Sequence, residues 1–185
     1  MEEDFTKKIE NIKNKFYETQ TKKMFFTSKQ KLNLANIVSN SINLDQLVYK
    51  TVYIINNSNK VYIDYTVFKL FANPSNYDIL IKYVIQLFSN CIEKYGSFEA
   101  HCNLDSFTIS ACHRYKEVIE AFMNECMKHE TKFTENINIM CIYNIPHVFE
   151  NIQKILEPLI HENVKKKIEL HNKIESPVLI TTLLV

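Results

Sequence analysis

Two adjacent pairs of histidine and cysteine are the residues of this sequence whose types could do chemistry. His101 precedes Cys102, and Cys112 precedes His113, near the predicted end of a strand and the predicted start of a helix. A thiol beside an imidazole is the arrangement of a cysteine nucleophile, and the same atoms could ligate a metal ion. The spacing is generic and no acidic residue is identified that would orient either ring. We therefore favour a capping or surface histidine beside a buried thiol.

No other pattern in the chain favours catalysis. Its single glycine, Gly96, cannot build a glycine-rich phosphate loop, and there is no Gly-x-Ser-x-Gly turn. The cysteines number five and include no Cys-x-x-Cys pair, which predicts reduced core thiols and no metal site. We therefore predict that the protein is not an enzyme and has no metal.

Polar residues also follow a predicted strand at Asn103 and Asp105. In open α/β sheets ligands bind at the carboxyl ends of the strands, so these side chains could contact a ligand. Residues of these types more often form turns and cap helices. We favour turn formation, with capping of the next helix by Asp105, Ser106 or Thr108.

Three consecutive lysines, Lys165, Lys166 and Lys167, precede an apolar segment. They could contact an anionic membrane surface, where each lysine contributes ~1 kcal/mol. The alternative is a solvated helix end whose cations complement the helix dipole. The formal net charge of the whole chain is only +1, so we predict no nucleic-acid partner.

The hydrophobic pattern predicts alternating strands and helices. Residues 1–35 have the pattern of polar helices, and residues 49–70 that of a β-hairpin with an asparagine-rich turn. Three further helices and three further strands alternate along the rest of the chain. The helices are predicted within 77–95, 109–126 and 146–159, and the strands at 97–104, 137–143 and around 168–170. This order predicts an α/β fold: a mainly parallel sheet with crossover helices, an antiparallel edge hairpin and an N-terminal helical segment.

The amino terminus is acidic and polar, unlike a signal peptide, and no apolar run approaches the ~20 residues of a membrane-spanning helix. We therefore expect a cytoplasmic protein, with peripheral contact at membranes as one option.

The stretch 139–170 carries a succession of spaced residues that points to a family. A predicted buried strand ends in Asn-x-Pro, a helix with a phenylalanine follows, and a Pro-Leu pair precedes a Lys-Ile pair. These residues are Asn144, Pro146, Phe149, Pro158, Leu159, Lys167 and Ile168. The succession resembles the CRAL-TRIO family of lipid-binding domains. Upstream, Asn103 and Ser106 stand where that family has the Asp and the Gly of an Asp-x-x-Gly motif.

The resemblance implies a division of the chain and a function. Residues 1–45 would form an N-terminal helical segment, and residues 46–185 a CRAL-TRIO-like lipid-binding domain. The implied function is non-catalytic binding or transfer of a hydrophobic small molecule or a phospholipid such as phosphatidylinositol, with no cofactor other than such a bound lipid. The alternative is a protein-interaction module of the BCH type, on the same fold with a reduced or absent lipid pocket. The chain lacks the Gly-Gly segment that members of the family carry after the Lys-Ile strand.

The implied ligand would lie against the sheet face that the crossover helices leave open. Strand alternation and the tail suggest the lining residues Phe98, Cys102, Phe107, Met140, Ile142, Leu179 and Leu183. The apolar tail 178–185 would pack over that face and cap the pocket, because it would otherwise expose a large hydrophobic patch. We assign architectural roles to Asn103, Asn144, Pro146, Phe149 and Pro158.

Overall fold

The computed structural model of the chain describes residues 2–19, 27–128 and 132–185. Within these residues the strands form one five-stranded sheet in the order β1-β2-β3-β4-β5. The first pair is antiparallel and the other three pairs are parallel. The strands are β1 (Val52–Ile54), β2 (Lys60–Asp64), β3 (Phe98–Asn103), β4 (Ile137–Ile145) and β5 (Ile168–Asn172).

Helices precede, connect and follow these strands. Those before the sheet are α1 (Glu2–Thr19), α2 (Ser28–Ser41) and α3 (Leu44–Thr51). Those within the connections are α4 (Tyr65–Phe71), α5 (Tyr77–Tyr95), α6 (Ile109–Arg114), α7 (Lys116–Cys126), α8 (Phe133–Asn136), α9 (Phe149–Leu156) and α10 (Glu162–Lys165). Helix α11 (Ser176–Leu184) follows the last strand. The predicted fold class, a mainly parallel α/β sheet with an antiparallel first pair, is confirmed.

The sequential order of the strands puts the long crossover helices on one face. Strand β2 connects to β3 through α4 and α5, β3 to β4 through α6 to α8, and β4 to β5 through α9 and α10. Parallel crossovers are right-handed, so connections that step in the same direction across a sheet cover the same side. This side is called the helix face below, and the other side is called the open face.

The predicted hairpin begins later than its sequence pattern indicates. Residues 49–51 were expected in the first strand, but they form the last turn of α3. Asn43 caps this helix by accepting a hydrogen bond from the Gln46 N–H at 2.9 Å, and the Thr51 hydroxyl donates to the Leu47 carbonyl at 2.8 Å. These local bonds continue the helix up to the first residue of the sheet, because the side chains bond to backbone groups of the helix that would otherwise lack a partner.

Three helix boundaries depend on individual polar residues or glycine. Asp64 caps α4 through a 2.7 Å hydrogen bond from the Thr66 N–H, so a helix unpredicted from the sequence replaces the end of the hairpin. Gly96 ends α5 with φ +77°, as predicted. Thr108 accepts a hydrogen bond from the Ala111 N–H at 3.1 Å and caps α6. The single helix predicted over 109–126 is divided at Tyr115 into α6 and α7.

The N-terminal helices pack against the main body. Phe5 and Ile9 of α1 and Val38 of α2 belong to the same buried cluster as Leu80 and Phe107. Residues 20–26 of the predicted N-terminal segment lie outside the described residues. The boundary at residue 45 stays a prediction.

The described helices include none with both the length and the apolar character needed to cross a membrane. The five cysteines, all of them within the described residues, form no disulfide, and four of them are buried.

Candidate ligand-binding site

A cavity of about 510 Å³ lies between the sheet and the crossover helices. Its floor includes a row of paired residues that crosses all five strands on the helix face. Neighbours in this row are Cα partners between adjacent strands, and all of them line the cavity: Val52, Ile63, Cys102, Ile142 and Leu170. The next row towards the amino ends of the parallel strands adds Met140 and Ile168. The floor is therefore apolar from one sheet edge to the other.

Helices form the walls of the cavity with apolar side chains that face the sheet. Helix α5 contributes Leu80, Ile81 and Val84, helix α7 contributes Val118, Ile119, Phe122 and Met123, and helix α9 contributes Phe149 and Leu156. Tyr65 and Phe107 add an aromatic corner, with ring centroids 4.8 Å apart in an edge-to-face contact. This volume and lining are typical of pockets for small hydrophobic ligands.

The few polar groups of the lining include an ion-pair network at one end. Lys165 Nζ lies 2.6 Å from Glu162 Oε1 and 3.9 Å from Glu157 Oε1, and both Lys165 and Glu157 line the cavity. Gln153 of α9 is a further polar neighbour. Because these side chains are at least partly exposed, they mark where the cavity meets solvent.

Four of the seven predicted pocket residues line this cavity: Cys102, Phe107, Met140 and Ile142. Phe98 is not part of the lining, although its side chain is on the same face of β3 as that of Cys102. Its ring stacks on Phe88 with centroids 4.2 Å apart and packs edge-on against Phe133 at 6.0 Å. The helices meet the sheet there without a gap, so Phe98 is a core residue.

The tail residues Leu179 and Leu183 are not part of the lining either. Helix α11 begins beside Asn144 at the carboxyl end of β4, and its last residues reach the β1–β2 turn, where Asn56 Nδ2 donates to the Val185 carbonyl at 3.4 Å. These end points place α11 across the open face. The predicted position of the pocket is thus corrected: the cavity lies on the helix face, and the tail packs on the other side of the sheet.

The predicted motif residues Asn103 and Asn144 bond to each other at the carboxyl edge of the sheet. Asn144 Nδ2 donates to Asn103 Oδ1 at 2.9 Å, and Asn103 Oδ1 also accepts from the Asp105 N–H at 3.0 Å. The Asn144 N–H donates to the Ser176 hydroxyl at 2.8 Å. Asn144 has φ +56°, a conformation that asparagine tolerates better than most residues. The motif therefore ties β3, β4 and the start of α11 together.

The other motif residues have separate surroundings. Pro146 was predicted to open a helix, but α9 begins at Phe149, whose N–H closes a turn on the Pro146 carbonyl at 2.9 Å. Phe149 lines the cavity, and Pro158 lies exposed in a 3-10 turn at Glu157–Leu159.

The three lysines proposed for a membrane surface differ in their contacts. Lys165 forms the ion pairs described above, whereas Lys167 Nζ donates to the carbonyl oxygens of Glu135 and Ile137 at 3.1 and 2.5 Å. Lys166 is exposed. A local structural role is thus present for two of the three lysines, and membrane contact stays a prediction.

The histidine–cysteine pairs do not assemble a nucleophile at the cavity. Adjacent residues of a strand point to opposite faces, so Cys102 lines the cavity while His101 lies on the open face. His101 Nδ1 lies 2.9 Å from the Tyr143 hydroxyl, and burial lowers the pKa of its ring. Burial raises the pKa of the Cys102 thiol to about 12, which disfavours the thiolate needed for attack.

Sequence reasoning missed a second group of polar residues on the open face. Cys141, Glu169 and His171 place potential metal-ligating atoms within 4.8 Å of one another. The Glu-x-His spacing on β5 could have signalled two side chains on one face of a strand. The partner Cys141 comes from β4, and the register between the strands is not readable from the sequence.

Comparisons with known proteins agree with this architecture. The family model of the CRAL/TRIO domain matches residues 103–181. The solved structure of Sfh5 matches with a TM-score of 0.53 and 12% sequence identity, over 77% of this chain and 56% of the Sfh5 chain. The matched region thus spans little more than half of that protein. A search of curated protein sequences finds no match.

The family match begins at Asn103 and includes the Asn144 turn, the cavity-lining helix α9, strand β5 and most of α11. CRAL-TRIO domains bind hydrophobic ligands such as lipids. Taken with the five-stranded α/β sheet and the motif residues at its carboxyl edge, the match over residues 103–181 supports a divergent CRAL-TRIO domain.

Proposed function

We propose that the protein binds one hydrophobic molecule in the cavity on the helix face and carries it without chemical change. The observation that carries this proposal is the continuous apolar row across all five strands, roofed by apolar helix faces. An apolar hollow of this size is costly to leave solvated and loses contacts if left empty. An apolar ligand would restore those contacts.

The size of the cavity favours a ligand with a single chain. A heavy atom of an apolar chain occupies a volume similar to the ~30 Å³ share of a water molecule in the liquid. A cavity of about 510 Å³ then accommodates roughly 17 heavy atoms. One acyl or isoprenoid chain is about this size. A phospholipid with two acyl chains, such as phosphatidylinositol, would have to leave one chain outside.

The proposed ligand enters near the ion pairs of Lys165. A carboxylate or another polar head group at this end would remain in contact with water and with Lys165, while the chain lies on the apolar floor. The lining contains no histidine among the described residues. This composition supports carriage rather than catalysis.

The test is native mass spectrometry of the protein purified from cells, with extraction of the bound molecule into organic solvent. A matched pair of variants on β4 separates the two faces: Ile142→Trp fills the cavity, whereas Ile139→Trp adds the same bulk on the open face. We expect a bound apolar molecule in the wild type, most of it lost in Ile142→Trp and retained in Ile139→Trp. A bare polypeptide mass in the wild type, or equal occupancy in both variants, would contradict the proposal.

A second proposal, a protein-interaction module or peripheral membrane contact, is supported by α11. This helix is apolar and yet largely exposed: Val178 is 69% exposed and Leu179 38% exposed. Exposed apolar patches often mark contact surfaces. The same measurement separates the proposals, because a wild-type protein without any extractable ligand would favour the interaction module.

A further inference from the structure

The open face of the sheet carries a row of polar residues that the ligand cavity does not use. In register across β2 to β5, Tyr62 pairs with His101, His101 with Cys141, and Cys141 with Glu169. His171 follows on the same face of β5. The Cys141 thiol, a Glu169 carboxylate oxygen and a His171 ring nitrogen all lie within 4.8 Å of one another.

His171 is held between two carboxylates in a defined orientation. Its Nε2 lies 3.8 Å from Glu169 Oε2, and its Nδ1 lies 3.6 Å from Glu175 Oε1. The Tyr143 ring stacks on the imidazole with centroids 5.0 Å apart and an interplanar angle of 17°. Glu175 is itself fixed, because its Oε1 accepts a hydrogen bond from the Asn172 N–H at 2.8 Å. One ring nitrogen therefore faces Glu169, and the other faces Glu175.

This set of atoms matches the ligands that zinc prefers. Zn²⁺ is bound by cysteine sulfur at about 2.3 Å and by histidine nitrogen and carboxylate oxygen at about 2.0–2.2 Å in tetrahedral sites, which puts the ligand atoms about 3.3–3.8 Å from one another. Side-chain rotations that move the ligand atoms by about 1 Å would bring the three groups to those separations. A carboxylate on the second nitrogen of a ligating histidine is the usual outer contact of such sites, and Glu175 is placed to provide it.

We propose that Cys141, Glu169 and His171 bind one Zn²⁺ ion on the open face, with Glu175 orienting His171. The bound ion replaces the proton of the Cys141 thiol, which leaves as the zinc–sulfur bond forms. Three protein ligands leave a fourth position for water or for a group from a binding partner. The sequence predicted no metal site. This one has no signature in the sequence, because its ligands come from two strands and have no Cys-x-x-Cys spacing.

The proposed ion would cross-link β4 to the edge strand β5. The side chains of Glu169 and Glu175 are 57% and 45% exposed, so this edge has few buried contacts on the open face. An ion that binds the folded chain more tightly than the unfolded chain raises the stability of the fold. Because the cavity lies on the other face, zinc binding does not depend on the proposed ligand.

Two measurements on the full chain test the site. After treatment with a chelator, Zn²⁺ is titrated by isothermal calorimetry, and Co²⁺ is added in a separate sample to record the thiolate-to-cobalt charge-transfer band. We expect one ion per chain and a band in the wild type, and no band in Cys141→Ser. Cys126→Ser, in a partly exposed cysteine of α7, is the matched control and keeps the band. Absence of binding by the wild type, or a band that persists in Cys141→Ser, would overturn the proposal.

Variants of less buried residues avoid the difficulty that Cys141 is buried. Glu169→Gln removes one ligand charge, and Glu175→Gln removes the outer carboxylate while its amide oxygen can still accept from the Asn172 N–H. Loss of such an outer contact typically lowers metal affinity 10–100-fold. We expect a decrease of about that size in Glu175→Gln and a loss of the zinc-induced rise in melting temperature in His171→Gln. Wild-type zinc affinity in all three of these variants would overturn the proposed site.

Discussion

The two faces of the sheet differ in chemistry although the same strands build both. On the helix face one row of cross-strand partners is apolar: Val52, Ile63, Cys102, Ile142 and Leu170. One residue away along each strand, the row on the open face consists of Tyr53, Tyr62, His101, Cys141 and Glu169. Because alternate residues point to opposite faces, every strand contributes to both rows.

The difference explains how one sheet could support the two binding properties proposed above, one on each face. On the helix face the side chains leave a cavity, so an apolar ligand could contact side chains that other protein groups do not cover. On the open face the side chains partner one another, as in the 2.9 Å contact between His101 and the Tyr143 hydroxyl and the stack of Tyr143 on His171. Changes on one face should therefore leave the property of the other face intact.

The largest loss of stability is expected from a substitution in the part of the helix face that packs without a cavity. Phe98 is 1% exposed and stacked on Phe88, so Phe98→Ala should lower the free energy of unfolding by about 3–5 kcal/mol. Cys102→Ala, on the same strand and face but at the cavity floor, should cost only about 1 kcal/mol, because the lost sulfur borders the cavity. Urea denaturation measures both variants. Equal losses of the free energy of unfolding would mean that the cavity floor at Cys102 is as tightly packed as the core.

A smaller effect is expected from removing the helix that crosses the open face. A chain that ends at residue 176 retains the Ser176 hydroxyl that accepts from the Asn144 N–H, and loses the partly buried Ile180 and Leu183. Full burial of such a side chain contributes about 1.5–3 kcal/mol, so two partly buried ones should cost about 2 kcal/mol in total. Ligand occupancy by native mass spectrometry should not change. A truncated chain that has lost its ligand would contradict the placement of α11 on the open face.

The sequence predicted the order of strands and helices well because local signals determine it. The apolar faces of α5 and α7, the positive φ of Gly96 and the Asn-x-Pro end of β4 are all local features. Helix α3 was missed because Tyr49 and Thr51 fit strand alternation as well as the last turn of a helix. The capping bonds of Asn43 and Thr51 that decide between them depend on geometry.

The candidate site could be predicted only in part, because alternation defines two faces without saying which one the helices cover. Cys102, Met140 and Ile142 were correctly placed on one face, but that face is the helix face and not the open one. The direction in which the strands follow one another decides this, and it emerges only from the assembled sheet. The same is true of Cys141 and His171, which come together through the pairing of β4 and β5.

The smallest change in stability is expected from a substitution at the carboxyl edge of the sheet, which both faces share. Ser106 stands where the family motif has glycine, and its φ is +63°. That conformation costs a residue with a side chain roughly 1–2 kcal/mol, whereas glycine adopts it freely but loses about 0.4–1 kcal/mol more entropy on folding. Ser106→Gly also removes the exposed hydrogen bond from Lys69 Nζ to the Ser106 hydroxyl.

We expect the free energy of unfolding to rise by about 0.5 kcal/mol in Ser106→Gly and to fall slightly in Ser106→Ala, which keeps the strain and loses the hydroxyl. A denaturation midpoint that is highest in Ser106→Gly, intermediate in the wild type and lowest in Ser106→Ala would support this account. Ligand occupancy and zinc affinity should be unchanged in both variants. An alanine variant as stable as the glycine variant would show that the turn is not strained, and the glycine of the family motif would then need another explanation.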